Sequence, residues 1–202
     1  MKNEKETALP RGRLLDEAIV FAADAHAGMT RKDGKTPYIL HPLEVAAIAG
    51  TITNDPEVLA AAVLHDTVED TPASIKELED RFGTRVAALV ASETENKRPG
   101  VPPAQTWQIR KEESLKVLKD AEDPGVRILW LSDKLSNMRS FLRMYRREGK
   151  DFLLRLHESD PEKQARYYRT VAEYTGDLSG TDAWREYAEL IERVFEGVEQ
   201  NG

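Results

Sequence analysis

The sequence predicts an all-α protein, and three observations support this. Apolar residues recur at intervals of three and four along most of the chain, which places them on one face of a helix. Proline and capping residues precede several of these stretches, and no stretch of alternating polarity rises above the helical pattern. With 202 residues, 40% of them hydrophobic, the chain is long enough for one domain with a sizeable core. We therefore predict a single domain over residues 1–202, with its motifs at about 12–145 and C-terminal helices at about 150–198.

The first half of the chain is predicted to form short helices. Four residues share one face of the first helix: Leu15, Ile19, Ala22 and His26. The segment RKDGKTPY that follows is predicted to be a loop, and a second helix begins near Pro42. Asp55 and Pro56 suit the cap and first position of a third helix, which we expect to run through AAVLHDTVEDT at 61–71. Ser74 and Glu77 have the spacing of a capping box and start a further short helix.

Longer helices are predicted in the second half. One covers TRVAALV, and the next is expected from about Thr106 to Lys119, after the loop NKRPGVPPAQ with its three prolines. Asp123 and Pro124 start the longest helix, which carries VRILWLSDKLSNMRSFLRMYRR and ends near Gly149. Two or three more helices are expected in FLLRL, PEKQARYYRTVAEY and AWREYAELIERVF.

Composition and charge exclude several classes of protein. The formal net charge is −7, from 29 basic and 36 acidic side chains, so we do not expect binding of long nucleic acid through bulk electrostatics. Binding of a small anionic ligand is compatible with this net charge, because such a ligand is attracted by local basic groups and by metal ions. There is no cysteine, which excludes disulfides and thiolate metal ligands. The sequence has no apolar run of about 18 residues and no apolar N-terminal segment, so we expect a soluble, cytoplasmic protein that does not enter the membrane.

The stretch AAVLHDTVEDT changes from apolar to strongly polar within a few residues. An Ala/Val/Leu run leads into four polar residues: His65, Asp66, Glu69 and Asp70. Helical spacing of four stacks His65 with Glu69, and Asp66 with Asp70, on adjacent turns. A solvated helix end would explain the charges but not the apolar run before them. The stretch is therefore a candidate site.

Two other positions are candidate partners for this histidine–aspartate pair. His41, in ILHP, lies at the start of a helix after a basic loop, and Asp133 lies in the middle of an apolar helix, one turn before Asn137. Two imidazoles and two carboxylates suit a divalent transition ion such as Mn, Fe, Co, Ni or Zn better than calcium. Taken singly, each histidine could be structural, and Asp133 could form an ion pair with Lys134 or Arg139. Together they predict metal-assisted hydrolysis, in which the two later carboxylates act on the water or the leaving group.

Four segments carry a resemblance to a known family: AHAGMTRKDGKTPYILHP, LAAAVLHDTVEDT, FGTRVAALV and ILWLSDKLSNMR. Their content and order resemble the HD-domain metal phosphohydrolases, and within them the hydrolase domain of RelA/SpoT homologues, especially the stand-alone small alarmone hydrolases. The resemblance implies an HD-domain helical bundle, here with a C-terminal helical extension. It also implies the reaction of the stringent response in which ppGpp or pppGpp loses its 3′-pyrophosphate, giving GDP or GTP and pyrophosphate.

The resemblance also implies roles for individual residues. A manganese ion would be held by two histidines and two aspartates: His41, His65, Asp66 and Asp133. The catalytic acidic pair would be Glu69 and Asp70. The nucleotide substrate would contact three residues: Arg31, Lys32 and Asn137. Further basic side chains could supply positive potential in this acidic protein: Lys97, Arg98, Arg110, Lys111 and Lys134.

Two departures from the family pattern leave the substrate open. The interval from Arg31 to His41 is one residue longer than in the long bifunctional enzymes, and the usual LADRLHNMR reads LSDKLSNMR, with Ser136 replacing a histidine. A chain of this length has no room for a synthetase domain, so we expect degradation only. The alternatives are hydrolysis of another nucleotide, such as a nucleoside monophosphate or NADPH, and a non-catalytic nucleotide-binding regulatory module. The native metal, the oligomeric state and the roles of loop 96–104 and of the C-terminal extension stay open.

Overall fold

Ten α-helices and two 3₁₀ segments make up the part of the chain that the computed structural model describes, residues 13–31 and 34–196. In chain order the helices are α1 (Leu14–Ala25), α2 (Leu40–Ala49), α3 (Pro56–Leu64), α4 (Thr67–Asp70), α5 (Ile75–Phe82), α6 (Thr84–Glu93), α7 (Pro103–Asp120), α8 (Pro124–Glu148), α9 (Pro161–Tyr174) and α10 (Asp182–Phe195). The 3₁₀ segments, Gly149–Arg155 and Gly176–Leu178, follow α8 and α9. Among the described residues, β pairing is limited to an isolated bridge between Thr30 and Pro37. The predicted all-α fold class is confirmed.

Helices α3 and α8 form the centre of the fold. α3 packs against α1, α2, α6 and α8. Its Val58 is 1% exposed and the run from Ala60 to Leu64 is fully buried, because apolar residues cover every side of this helix. α8 has 25 residues and contacts α2, α3, α6, α7, α9 and α10. The packing of these two helices therefore decides where the polar residues that they carry can meet.

One arginine links the starts of α3 and α8. Asp55 and Asp123 cap these helices by accepting hydrogen bonds from the backbone N–H groups of Glu57 and Gly125, at 3.0 and 2.8 Å. Each such cap typically contributes about 1 kcal/mol to helix stability. Arg85 on α6 donates to Asp55 at 2.7 Å and to Asp123 at 2.8 Å. The predicted starts of both helices are confirmed.

Three helices approach one another closely at Gly125, in the first turn of α8. A Cβ atom at this position would lie 2.9 Å from Val58 Cγ2, 3.0 Å from Asp123 Oδ1 and 3.2 Å from Leu89 Cδ2. The shortest of these distances is closer than the Cβ atoms of real proteins approach another atom. Glycine therefore sets the spacing of α3, α6 and α8 at this point.

The prediction of one helix through residues 61–71 is wrong, because α3 ends at Leu64 and the four-residue α4 begins only at Thr67. Local side chains explain the break. His65 Nδ1 lies 2.9 Å from the carbonyl oxygen of Ala62, and Thr67 Oγ1 donates to that of Leu64 at 2.6 Å. These side chains satisfy carbonyl groups that a continuing helix would otherwise use. Asp70 N still donates to the carbonyl oxygen of Asp66 at 2.9 Å, so the predicted stacking is kept for this pair.

The start of α7 also differs from the prediction. The helix begins at Pro103, inside the segment predicted as a loop, and not near Thr106. A proline at the first helical position loses no hydrogen bond there, and its fixed φ suits the helix. The loop between α6 and α7 is correspondingly shorter than the sequence suggested.

The C-terminal segments pack onto the long helix. α10 lies along α8 and α9, and the buried Tyr187 donates from its hydroxyl to the carbonyl oxygen of Tyr168 at 2.9 Å. The segment FLLRL, predicted as a helix, forms the 3₁₀ segment after α8. The single domain over residues 1–202 stays a prediction, because it includes residues outside the described ranges. Across residues 13–31 and 34–196, no helix combines the length and apolar character needed to cross a membrane.

Candidate metal centre and active-site cavity

The four predicted metal ligands converge at one largely buried point. His41 comes from the first turn of α2, His65 and Asp66 from the junction of α3 and α4, and Asp133 from the middle of α8. The ligand atoms of His41, His65 and Asp133 lie within 4.8 Å of one another. His41 Nε2 is 3.0 Å from Asp133 Oδ1, and His65 Nε2 is 3.1 Å from Asp66 Oδ2. The side chain of Asp66 is 20% exposed and lies at the open side of the cluster.

Hydrogen bonds define where the protons of the two imidazoles lie. His65 Nδ1 is 2.9 Å from the carbonyl oxygen of Ala62, which can only accept, so Nδ1 carries the proton. His41 Nδ1 is 2.9 Å from Ser136 Oγ, and that hydroxyl donates its own hydrogen to Glu44 at 2.8 Å. His41 Nδ1 is therefore also a donor. In both rings Nε2 therefore faces the aspartates and is the atom that can bind a metal ion in place of a proton.

This arrangement fits a divalent metal ion. His65 Nε2 is buried without a well-oriented hydrogen-bond partner and lies 3.1 Å from Asp66 Oδ2 and 3.5 Å from Asp133 Oδ1. Burial lowers the pKa of His65, but these two carboxylates outweigh burial and raise the pKa well above its usual value. The cluster thus favours positive charge at its centre, which either a proton or a metal ion can supply. Two nitrogen and two oxygen ligands suit a divalent transition ion.

Asp133 serves two groups of neighbours at once. Its Oδ1 faces the imidazoles and accepts from Asn137 Nδ2 at 2.8 Å, while its Oδ2 accepts from Lys134. Lys134 also donates to Glu93 Oε1 at 3.3 Å, and burial raises the pKa of Glu93 to about 7 although Lys134 opposes the shift. The ion pair considered as an alternative role for Asp133 is therefore present with Lys134, on the side of the carboxylate that faces away from the cluster. Arg139 binds other carboxylates.

Asp70 lies next to the cluster and is joined to it through a tyrosine. The hydroxyl of Tyr38 is 2.7 Å from Asp70 Oδ2 and 2.6 Å from Asp66 Oδ2. Lys97 donates to Asp70 Oδ1 at 2.6 Å. These two contacts hold the Asp70 carboxylate beside the candidate ligand Asp66, within reach of a water molecule bound there.

Glu69 faces a different part of the cavity. Its Oε2 accepts from the backbone N–H of Glu95 at 3.2 Å, and its Oε1 is 3.5 Å from Lys97 Nζ. Burial, and then repulsion by the carboxylates of Asp66 and Glu95, raise the pKa of Glu69. The protonated form of Glu69 is therefore favoured relative to an exposed glutamate. The two candidate catalytic carboxylates differ in environment, which the sequence did not reveal.

A cavity of about 1020 Å³ opens from the cluster. At its mouth Arg31 donates to Asn137 Oδ1 at 3.1 Å and lies 5.4 Å from the centre of the Tyr38 ring. Lys32 lies outside the described residues. Many cationic side chains line the cavity: Arg31, Lys97, Arg110, Lys111, Lys134, Arg143, Arg146 and Arg147. Seven carboxylates line the same cavity, and Lys97, Arg110, Lys111 and Lys134 are paired with carboxylates of this set. The positive charge available to a phosphorylated ligand therefore comes mainly from Arg31 and from the arginines at the end of α8.

Several lining residues were not identified from the sequence. Tyr38 stands three residues before His41, and its place in TPYILHP was the available signal. The arginines at the end of α8, in RMYRR, recur at helical spacing, but only the structure shows that they face the cavity. The C-terminal extension adds Leu156, Gln164 and Tyr168, for which the sequence carries no signal. Arg98, considered as a source of positive potential, is not among the lining residues and pairs with an exposed glutamate of α7.

Comparison with known proteins identifies a family. The profile described as "HD domain" matches residues 18–156 of this chain. A "guanosine-3′,5′-bis(diphosphate) 3′-pyrophosphohydrolase" of Aquifex aeolicus is 40% identical over 126 residues, which is 62% of this chain and 17% of the relative. A "probable guanosine-3′,5′-bis(diphosphate) 3′-pyrophosphohydrolase" of Synechocystis is 32% identical over 199 residues, 98% of this chain and 24% of the relative. The chain thus spans about a quarter or less of the length of these curated relatives.

Two solved structures are similar over most of their length. One, described as "A metazoan ortholog of SpoT hydrolyzes ppGpp and plays a role in starvation responses", superposes with a TM-score of 0.68 at 26% identity, covering 89% of this chain and 94% of that one. The other, lmo0812 of Listeria monocytogenes, has a TM-score of 0.66 at 30% identity and covers 77% of this chain and 98% of that one. The helical arrangement described above is shared with both.

Proposed function

The chain belongs to the HD domain family, and from this premise we propose that it hydrolyses guanosine 3′,5′-bis(diphosphate), releasing pyrophosphate from the 3′ position. The observation that carries the proposal is the convergence of two imidazole Nε2 atoms on two aspartates, with Glu69 and Asp70 lining the same cavity. The two curated relatives described above are named for this reaction, and one similar structure is described as hydrolysing ppGpp. The cytoplasmic location expected from composition stays a prediction.

HD hydrolases depend on a metal, and the histidine–aspartate cluster is where this chain would hold it. We propose Mn²⁺ as the ion and four residues as its ligands: His41, His65, Asp66 and Asp133. A bound divalent ion would supply Lewis acidity, lowering the pKa of a water molecule and offsetting phosphoryl charge. Asp66 is the most exposed of the four, which leaves that side of the cluster open to water and substrate.

The two acidic residues divide the proton transfers. Asp70, held by Tyr38 and Lys97, accepts a proton from the attacking water as its oxygen bonds to the 3′ α-phosphorus. The bond from this phosphorus to the ribose 3′ oxygen breaks, and pyrophosphate leaves the nucleoside. Glu69, whose raised pKa favours the protonated form, donates the proton that the 3′ oxygen takes up. The nucleoside product then carries a 3′-hydroxyl. Asp70 releases its proton to solvent and Glu69 takes one up, so both residues return to their starting protonation states.

The basic residues of the cavity bind the nucleotide. Arg31 stacks over the guanine, or hydrogen-bonds to its edge together with Asn137, because these two side chains already contact each other at the mouth of the cavity. Lys32 is proposed to assist from the adjoining position. The diphosphates lie along the arginines of α8 that line the cavity: Arg143, Arg146 and Arg147.

A substrate panel tests the proposal. The protein, loaded with Mn²⁺, is incubated with ppGpp, pppGpp, a nucleoside monophosphate and NADPH, and orthophosphate and pyrophosphate are quantified separately. We expect pyrophosphate and GDP from ppGpp. Orthophosphate from NADPH or from the monophosphate, with none of the alarmones turned over, would support a different HD phosphohydrolase. Alarmone binding without turnover under any divalent ion would support a regulatory module.

A further inference from the structure

A chain of hydrogen bonds, buried at His41 and partly exposed at its far end, runs from this proposed metal ligand to the C-terminal helix. His41 Nδ1 is 2.9 Å from Ser136 Oγ, and Ser136 Oγ is 2.8 Å from Glu44 Oε2. Arg139 donates to the other oxygen of Glu44 at 3.1 Å, and to both oxygens of Glu186 on α10 at 2.7 and 2.6 Å. Ser136 is fully buried. The contacts connect α2, α8 and α10 behind the metal cluster.

The direction of these hydrogen bonds follows from the chemistry of the groups. Glu44 is paired with Arg139, and a carboxylate can only accept, so the Ser136 hydrogen must point to Glu44. The Ser136 oxygen is then left to accept the Nδ1 proton of His41. The tautomer of His41, with its lone pair on Nε2, depends on both partners being in place.

We propose that Ser136 and Glu44 are positioning residues that hold His41 for metal binding, and that Arg139 and Glu186 extend this support to α10. A carboxylate behind a ligand histidine orients the ring and increases its basicity as a donor. In this chain the carboxylate acts through a serine, at the position where the family pattern has a histidine. The inference rests on the metal site of the proposed function and gives the C-terminal extension a part in retaining the ion.

The chain supplies a matched control. Ser132, one turn earlier on α8, is equally buried, but its hydroxyl donates to the carbonyl oxygen of Ile128 in the same helix at 2.7 Å. Ser132→Ala and Ser136→Ala therefore remove the same atom from the same helix, and only the second touches His41. Glu44→Gln tests the carboxylate separately, at a side chain that is 28% exposed and so less demanding for folding.

Divalent-ion affinity of the metal-free proteins is the decisive measurement. Mn²⁺ binding is titrated by calorimetry, and the visible absorption of Co²⁺-loaded protein reports the coordination geometry. We expect Ser136→Ala to weaken Mn²⁺ binding roughly tenfold to a hundredfold and to change the Co²⁺ spectrum. Glu44→Gln should act in the same direction, and Ser132→Ala should match the wild type in both readouts. Near-ultraviolet circular dichroism confirms that each variant is folded.

Three negative outcomes are distinguishable. If the wild type binds Mn²⁺ and both Ser136→Ala and Glu44→Gln bind it equally well, the positioning role is wrong while the proposed function stands. If the folded wild type binds no divalent ion, the proposed metal site is wrong and this inference falls with it. A Ser132→Ala variant that loses affinity as strongly as Ser136→Ala would assign the effect to packing of α8 and overturn the inference.

Discussion

Replacing Gly125 by alanine tests how tightly the central helices are packed. The added Cβ would stand 2.9 Å from Val58 on α3 and 3.2 Å from Leu89 on α6. It would also stand 3.0 Å from Asp123 Oδ1, the atom that caps α8. Val58 and Leu89 are each 1% exposed, so neither has free space to move into. The three contacts therefore require these side chains, or the helices that carry them, to shift.

The expected cost follows from these contacts. Adding a methyl group to a packed core typically costs about 1–3 kcal/mol, and disturbing a cap up to about 1 kcal/mol more. Alanine offsets at most about 1 kcal/mol of this by its better helix propensity, and less in a first turn. We expect the free energy of unfolding to fall by about 2 kcal/mol, equivalent to a Tm lower by about 4–8 °C for a chain of this size.

Urea unfolding followed by circular dichroism measures the effect, with the midpoint compared at an unchanged slope. Gly176→Ala is the matched control, because nothing lies within 4 Å of a Cβ built at Gly176. We expect that control to stay within about 0.5 kcal/mol of the wild type. If Gly125→Ala is as stable as Gly176→Ala, then α3, α6 and α8 are not held at the spacing described, and the argument from close packing is refuted.

Three further predictions concern the site and its support. Asp70→Asn should keep Mn²⁺ and lose at least about 99% of turnover, whereas Asp66→Asn should lose the metal. Metal analysis of both variants checks this, and equal metal loss in the two would show that ligand and base are misassigned. His41→Ala should also lose the metal, and full Mn²⁺ occupancy of that variant would remove it from the ligand set. Arg85 holds the pKa of Asp123 below its usual value. The stabilisation that this ion pair gives the folded state is therefore present above about pH 4 and is lost as the pH falls through the lower pKa of Asp123 in the folded state. Arg85→Ala should thus lower the free energy of unfolding, measured by urea unfolding, by about 1–2 kcal/mol at pH 7. The difference between the variant and the wild type should be smaller at about pH 3, and a difference that does not change with pH would contradict this.

Local patterns in the sequence were sufficient for most helices and for the metal-site candidates. Asp55 and Asp123 start helices because capping depends on neighbouring residues alone. His41, His65 and Asp133 could be grouped because polar residues in apolar helices need partners, and the structure brings them together. The roles of these residues in binding and catalysis stay predictions.

Two kinds of feature could not be predicted: local hydrogen bonds that compete with the helix, and contacts between distant parts of the chain. The break after α3 arises because side chains bond to nearby carbonyl groups, which competes with the helical spacing. The positions of Tyr38 beside Asp70 and of Ser136 beside His41 are set by packing between helices. The C-terminal residues that line the cavity are brought there by the packing of α9 against α7 and α8, for which no local motif exists.

The site draws its residues from widely separated parts of the chain, and this constrains how the protein can fold. The Ser136–His41 contact joins residues 95 positions apart, and the Arg31–Asn137 contact joins residues 106 apart. Closing loops of this length is entropically costly, so such contacts form only after α8 has docked. While α8 is still inside the ribosome during synthesis, the emerged part of the chain would contain His41, His65 and Asp66 but not Asp133, the fourth proposed metal ligand. Metal capture would therefore follow the docking of α8, and an ion that binds only the docked arrangement would pull this step to completion.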